Sequence, residues 1–113
     1  MATMVDAVLL RLYLGESAHH DGRPCYESIV LAARAAGLAG ATTLRGPLGY
    51  GHSSRLHSAS ILRLSGDLPI VVEIVDERAK IEAFLPTAEG MMTAGMITMH
   101  PTTVVRYGPA DAG

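Results

Sequence analysis

The sequence predicts an α+β fold whose elements follow the order strand, helix, strand, strand, helix, strand. Residues 5–14 and 68–75 are apolar runs that alternate with the strand period, and a segment of helical period follows each of them. Pro47 and Pro101 fall in two other predicted strands, where the missing N–H indicates an edge position. Right-handed crossovers then select the sheet order fourth, first, third, second, with both helices on one face. This is the ferredoxin-like arrangement.

Local signals set the ends of the two predicted helices. The first begins at Pro24, because proline is tolerated at the first helical position, and it stops at Gly37. The second runs over residues 77–94, with Asp76 as its N-cap. Its apolar stripe keeps helical phase across Pro86, so we expect one kinked helix rather than two.

Turn signals divide the rest of the chain. With 113 residues, the whole chain, 1–113, fits one domain. The expected boundaries are an exposed connection over 15–23, a second strand over 41–48, a strand over 59–64, a last strand over 96–107 and a frayed tail over 108–113.

Composition excludes several classes of protein. The formal charge of -2 and the small number of aromatic residues give neither a basic field nor stacking platforms for nucleic acid. The single cysteine, Cys25, has no partner in the chain, which favours a reducing compartment. The first residues do not follow the order of basic residues, apolar run and small-residue cleavage site that is typical of a signal peptide, and no apolar run approaches about 20 residues. We therefore expect a cytoplasmic protein without membrane insertion.

The central strands are apolar on both faces, although the two predicted helices cover only one. Leu9 and Tyr13 on the first strand, and Val71 and Val75 on the third, are left in need of cover. We expect association with other subunits through this face.

A Gly-rich loop over residues 45–57 is the strongest candidate for a binding site. It holds three glycines, two arginines and two histidines between segments that read as strands. Glycines let backbone N–H groups approach a ligand, and the cations favour an anion such as phosphate. A Gly-rich hairpin with a solvated tip is the alternative.

Seven short motifs, in order, carry a family resemblance: LYLGE at 12–16, GRP at 22–24, LRG at 44–46, GYG at 49–51, SRLH at 54–57, DLP at 67–69 and VRY at 105–107. The sequence resembles the uncharacterised PII-like proteins, relatives of the nitrogen regulatory PII signalling proteins. The resemblance implies a homotrimer that binds AMP, ADP or ATP in clefts between subunits and regulates a membrane transporter, channel or enzyme.

The resemblance also implies which residues touch the ligand. Gly49 and Gly51 match a Gly-Phe-Gly turn that approaches the nucleotide, and Arg106 matches an arginine near its phosphates. Residues 93–97 lack the lysine of the PII phosphate loop, so the resemblance leaves open whether triphosphates bind. The full candidate set is Arg45, Gly46, Gly49, Tyr50, Gly51, Arg55, His57 and Arg106.

Two other functional classes have weaker signals. A metal-responsive trimer is suggested by four histidines, although their spacing fixes no shared face. A small enzyme would need Cys25 as its nucleophile, or Ser53 or Ser54 with His57 as the base. Cys25 is more simply a small packing residue, and the serines more simply cap or turn the loop. We therefore predict a regulatory protein that is not an enzyme. The histidines are His19, His20, His52 and His57.

Overall fold

The computed structural model describes residues 5–50, 57–58 and 67–108. Four strands, β4 (Ala41–Arg45), β7 (Pro69–Asp76), β1 (Val5–Gly15) and β8 (Met96–Val104), form an antiparallel sheet in that order, and two helices pack on one face of it. The predicted α+β class, with an antiparallel sheet and two helices, is confirmed. The elements are β1 (Val5–Gly15), β2 (His19–His20), β3 (Arg23–Pro24), α1 (Cys25–Ala35), β4 (Ala41–Arg45), β5 (Leu48–Gly49), β6 (His57–Ser58), β7 (Pro69–Asp76), α2 (Arg78–Met91) and β8 (Met96–Val104).

The core lies between the sheet and the helices. Alternate residues of β1 and β7 point to the helices and are buried, as the strand period predicts. β4 and β8 form the two edges of the sheet. Pro47 follows β4 closely, and Pro101 lies within β8, where its missing N–H suits an edge strand. The core residues are Val8, Leu10, Leu12 and Leu14 of β1, Ile70, Val72 and Ile74 of β7, Cys25, Ile29 and Ala33 of α1, and Ile81, Phe84 and Ala88 of α2.

Helix α1 ends where the sequence predicts. Gly37 has a φ of 78°, and its N–H donates to the Arg34 carbonyl while the N–H of Leu38 donates to the Ala33 carbonyl. This pair of bonds is a Schellman motif, in which glycine takes the left-handed position without a Cβ penalty. At the other end Pro24 is the N-cap rather than the first helical residue.

Helix α2 is shorter than predicted, and its N-cap is different. The N-cap is Glu77, while Asp76 is the last residue of β7. The prediction placed Asp76 as the cap, but only one of its carboxylate oxygens faces α2 and the other accepts a hydrogen bond from the Ala39 backbone. The helix continues through Pro86 as one element and stops at Met91, because Met92 is already extended.

Several other predicted boundaries need correction. The connection over 15–23 holds a small hairpin, since β2 pairs with β3 across Asp21 and Gly22, which both have positive φ. The strand over 41–48 is interrupted after Arg45, and the last strand stops at Val104. The strand predicted over 59–64 and most of the tail over 108–113 lie outside the described residues.

The face of the sheet opposite the helices carries a polar row. Arg11 Nε donates a 2.9 Å hydrogen bond to Glu73 Oε2 on the neighbouring strand. The neighbouring row of cross-strand partners, nearer the Gly15 end of β1, is apolar. Its residue on the edge strand β4, Leu44, is 50% exposed. The polar row is Thr42, Glu73, Arg11 and Thr98, and the apolar row is Leu44, Val71, Tyr13 and Met96.

Candidate functional site

The Gly-rich loop begins at one end of the sheet, beside the end of β1. The Arg45 guanidinium donates a hydrogen bond to the Glu16 carboxylate, and the Gly46 N–H donates a 2.8 Å bond to the Pro69 carbonyl. Further along, Gly49 of β5 pairs with His57 of β6. The backbone pairing therefore closes the base of the loop and places two of the predicted ligand residues opposite each other.

Gly46 and Gly49 have a packing role that the sequence does not reveal. A Cβ atom added to Gly46 would lie 3.1 Å from the Cγ of Pro69, and one added to Gly49 would lie 3.2 Å from the same atom. Both distances are shorter than ordinary van der Waals contacts. The two glycines therefore allow the loop base to pass close over the proline ring.

The tip of the loop is only partly described. Tyr50 is 64% exposed and has no intrachain hydrogen bond among the described residues. Gly51 and Arg55 lie outside the described residues, as does His52. Their places in a binding site remain predictions.

A cleft of about 630 Å³ lies at the opposite end of the sheet. It is bounded by the loop between α1 and β4, the first turn of α2 and the segment that follows β8. Its size falls within the range of about 300–1,000 Å³ that small-molecule sites occupy. Arg106 lines this cleft, and so does Lys80, the only lysine in the chain.

Ala39 joins the three segments that form the cleft. Its N–H donates a 2.9 Å hydrogen bond to Asp76 Oδ2, while Asp76 Oδ1 accepts a 2.7 Å bond from the N–H of Glu77. Its carbonyl accepts a 2.8 Å bond from the hydroxyl of Tyr107. Tyr107 follows Arg106 directly, so this last bond fixes the backbone that carries the arginine.

The candidate ligand residues are divided between the two ends of the chain's sheet. Arg45 pairs with Ile70, which pairs with Leu14, whereas Arg106 follows Val104, the partner of Val5. The interval from residue 5 to residue 14 corresponds to about 30 Å of strand. A single chain therefore cannot bring Arg45 and Arg106 to one small ligand.

The lining of the cleft carries both signs of charge. The hydrogen bond to the Glu73 carboxylate raises the pKa of Arg11, and the two groups form an ion pair beside the cleft. Asp76 is buried and accepts two backbone hydrogen bonds. Glu77 and Lys80 are exposed, and neither has an ion-pair partner within residues 5–50 and 67–108.

Comparison with known sequences assigns the family. The DUF190 family profile, described as uncharacterized ACR, matches residues 7–104. The chain belongs to this family. A UPF0166 protein of Aquifex aeolicus (strain VF5) is 35% identical over 102 residues, covering 90% of this chain and 96% of the relative. A UPF0166 protein of Methanocaldococcus jannaschii is 35% identical over 83 residues, covering 74% of this chain and 76% of the relative.

Solved structures place this DUF190 chain in the PII-like fold. CPII, a nitrogen regulatory PII-like protein from Thiomonas intermedia K12 bound to ADP, AMP and bicarbonate, superposes with a TM-score of 0.63 at 18% identity, covering 92% of each chain. A putative PII-like signaling protein from Thermus thermophilus gives a TM-score of 0.58 at 15% identity, covering 91% of each chain. The predicted resemblance to an uncharacterised PII-like family is confirmed.

Sequence reasoning missed most of the cleft in this DUF190 chain. Of the cleft residues, only Arg106 was among the candidates, while Ala39, Lys80 and Tyr107 were not. Ala39 contributes backbone groups, which leave no signature in a sequence. Lys80 is the only lysine in the chain, and this was the one feature of the sequence that could have indicated it.

The metal and nucleophile alternatives gain no support from the described part of this DUF190 chain. Within residues 5–50 and 67–108, no three His, Cys, Asp or Glu side chains are close enough to hold a metal ion. Burial raises the pKa of the Cys25 thiol, which disfavours the reactive thiolate. Neither α1 nor α2, the two helices in the described part of the chain, has the length and hydropathy of a membrane-spanning segment.

Proposed function

We propose that this protein is a PII-like regulator that binds an adenine nucleotide between the subunits of a homotrimer. Nucleotide binding would change the surface offered to a partner such as a membrane transporter, channel or enzyme. The proposed ligand residues are the eight predicted ones, from Arg45 to Arg106, with no catalytic residue. The structural neighbour bound to ADP and AMP supports the nucleotide as the effector.

The separation of Arg45 from Arg106 is the observation that carries this proposal. Each chain offers a Gly-rich loop at one end of its sheet and an open cleft at the other. In a closed ring, the loop end of one subunit meets the cleft end of the next, so three copies form three equivalent sites. A nucleotide held across each boundary would then favour one arrangement of the loop.

The sheet face opposite the helices supports the trimer. Leu44 and Met96 are half exposed at the two edges of its apolar row, and Val71 and Tyr13 lie between them. Burying such a row stabilises the association by about 25 cal/mol for each Å² of apolar surface removed from water. Association through this face would therefore stabilise the ring and bring the loop end of one subunit to the cleft end of the next.

Calorimetric titration of the full chain with AMP, ADP, ATP and cyclic AMP tests nucleotide binding. We expect at least one of them to bind with micromolar affinity. Arg106→Gln should weaken that binding by at least about tenfold, because a charge-assisted hydrogen bond is lost. Arg34→Gln removes an exposed arginine from the last turn of α1 and should have no effect. The absence of heat from all four nucleotides would refute the proposal.

Light scattering after size exclusion tests the trimer with a matched pair of variants. Leu44→Asp places a charge on the open sheet face, and Leu31→Asp places one on α1, where the leucine is 40% exposed. We expect the wild type and Leu31→Asp to have the mass of a trimer and Leu44→Asp to dissociate. A wild type that elutes as a monomer would contradict the ring.

A further inference from the structure

We infer that the cleft selects its nucleotide by charge and binds a nucleoside monophosphate in preference to a triphosphate. In this assignment Lys80 and Arg106 hold the single phosphate group, and Glu77 opposes additional ones. The inference rests on the proposed nucleotide function and adds which member of the nucleotide series the protein senses. It also assigns a role to the only lysine in the chain.

The cations of the cleft suffice for one phosphate group. Lys80 and Arg106 both line the cleft, and neither has an ion-pair partner within residues 5–50 and 67–108. A terminal phosphate monoester carries about -1.5 to -2 charges at pH 7, so these two side chains balance it. Arg11 adds no free positive charge, because it is paired with Glu73.

Carboxylates make the rest of the cleft unfavourable for further phosphates. Glu77 is exposed at its rim, and Asp76 is fixed in its wall by two backbone N–H groups. A β- or γ-phosphate placed in the same cleft would add negative charge with no further cation among the lining residues to receive it. Like charges at a few ångströms repel, so each added phosphate weakens the electrostatic gain.

Among the described residues, the loop end of a neighbouring subunit adds no free cation. Its Arg45 is hydrogen bonded to Glu16, so this pair brings no net charge. A triphosphate carries the terminal charge and two further ionised phosphates, and it would still meet Glu77.

Calorimetry in EDTA at constant low salt tests the charge selection directly. We expect AMP to bind at least about tenfold more tightly than ATP, with ADP between them. ATP that binds as tightly as AMP would overturn this inference while leaving the nucleotide function intact. The absence of binding by every nucleotide would instead remove the proposed function, and this inference with it.

The same titrations in excess MgCl₂ distinguish selection by the charge of the nucleotide from selection by its length. Mg²⁺ neutralises part of the triphosphate charge without shortening the molecule, so the preference for AMP should narrow severalfold in excess MgCl₂. A preference that is unchanged by Mg²⁺ would indicate selection by length and would contradict the role of Glu77.

Two charge variants on α2 test the residue assignment. Glu77→Gln removes the opposing carboxylate and should improve ATP binding severalfold relative to AMP. Glu77 makes no side-chain cap bond, so the helix should tolerate this change. Glu89→Gln alters the net charge by the same amount at an exposed position outside the cleft and should leave the AMP to ATP ratio unchanged. Equal ratios in the two variants would overturn the assignment.

Chemical labelling of Lys80 gives a readout independent of heat. Because no other lysine exists, acetylation by an amine-reactive ester is read by mass spectrometry at one side chain, with the α-amino group as internal control. AMP at saturating concentration should slow acetylation of Lys80 severalfold and leave the α-amino group unaffected. Equal rates with and without bound AMP would show that Lys80 does not hold the ligand.

Discussion

Asp76 and Ala39, which are 37 positions apart in the chain, are joined by a 2.9 Å hydrogen bond between the carboxylate and the backbone N–H. The second carboxylate oxygen accepts the N–H of Glu77. Asp76 is 8% exposed, so one buried side chain holds both the loop after α1 and the start of α2. These two segments form one wall of the cleft, and the position of that wall therefore depends on a single carboxylate.

Asp76→Asn should destabilise the fold although it conserves shape. Asparagine keeps one acceptor oxygen, but its amide N–H₂ would face one of the two backbone N–H donors. Both donors are only partly buried, so leaving one of them unsatisfied should cost about 1 kcal/mol, the low end of the range for buried groups. Urea unfolding at fixed protein concentration would detect this loss. Asp6→Asn changes the same group at an exposed position of β1 and should cost much less. Equal midpoints for both variants would exclude the bridging role.

Gly95→Ala should be strongly destabilising, while Gly90→Ala should be stabilising. Gly95 has a φ of 126°, and a Cβ atom there would overlap the backbone oxygen of Tyr13 and lie 2.8 Å from the Met92 methyl group. We expect a loss of at least about 2 kcal/mol in the free energy of unfolding. Gly90 lies in α2 with open space around it, so alanine should gain about 0.5–1 kcal/mol. Thermal and urea unfolding of the two variants measure both the expected loss and the expected gain in the free energy of unfolding.

Tyr107→Phe should weaken nucleotide binding more than it affects stability. The lost 2.8 Å bond to the Ala39 carbonyl tethers the segment that carries Arg106, and it lies at an exposed position. We expect AMP affinity to fall about three- to tenfold, the equivalent of one hydrogen bond. Tyr26→Phe removes a hydroxyl from α1, away from the cleft, and should leave binding unchanged. Unaltered AMP affinity in Tyr107→Phe would rule out its positioning role.

The parts of the fold that local chemistry determines could be predicted from sequence. The alternation of β1 and the glycine stop of α1 depend on neighbouring residues alone, and both appear in the structure. Asp76 shows the limit of this reasoning. An aspartate before a helix suits an N-cap equally well, and only the distant Ala39 N–H decides that its carboxylate bridges two segments instead.

The candidate site was less predictable for the same reason. The loop glycines and arginines are visible in a sequence, but the packing of Gly46 and Gly49 against Pro69 depends on a contact across about 20 positions or more. The cleft is built from both halves of the chain, and one of its polar anchors is the Ala39 backbone, whose Tyr107 partner is 68 positions away. Composition and spacing contain no record of such contacts.

Cys25 should make the stability of the protein fall at alkaline pH. The thiol is fully buried, and desolvation raises its pKa in the folded state, although a hydrogen bond from the Thr93 backbone offsets part of the rise. An unfolded cysteine has a pKa of about 8.5. Between that value and the raised folded one, the folded chain holds more protons than the unfolded chain. The contribution of the neutral Cys25 thiol to the free energy of unfolding is therefore fully present below about pH 8 and is lost as the pH rises through the folded-state pKa.

Urea unfolding of the wild type and Cys25→Ala, each at about pH 7.5 and about pH 9.5, measures this contribution. Other groups also titrate in this interval, but they are common to both proteins and cancel in the difference. We expect the wild type to lose more stability than Cys25→Ala between the two pH values, because only the wild type must keep a thiol neutral in the core. An identical loss in both proteins would mean that the Cys25 pKa is the same in the folded and unfolded chains.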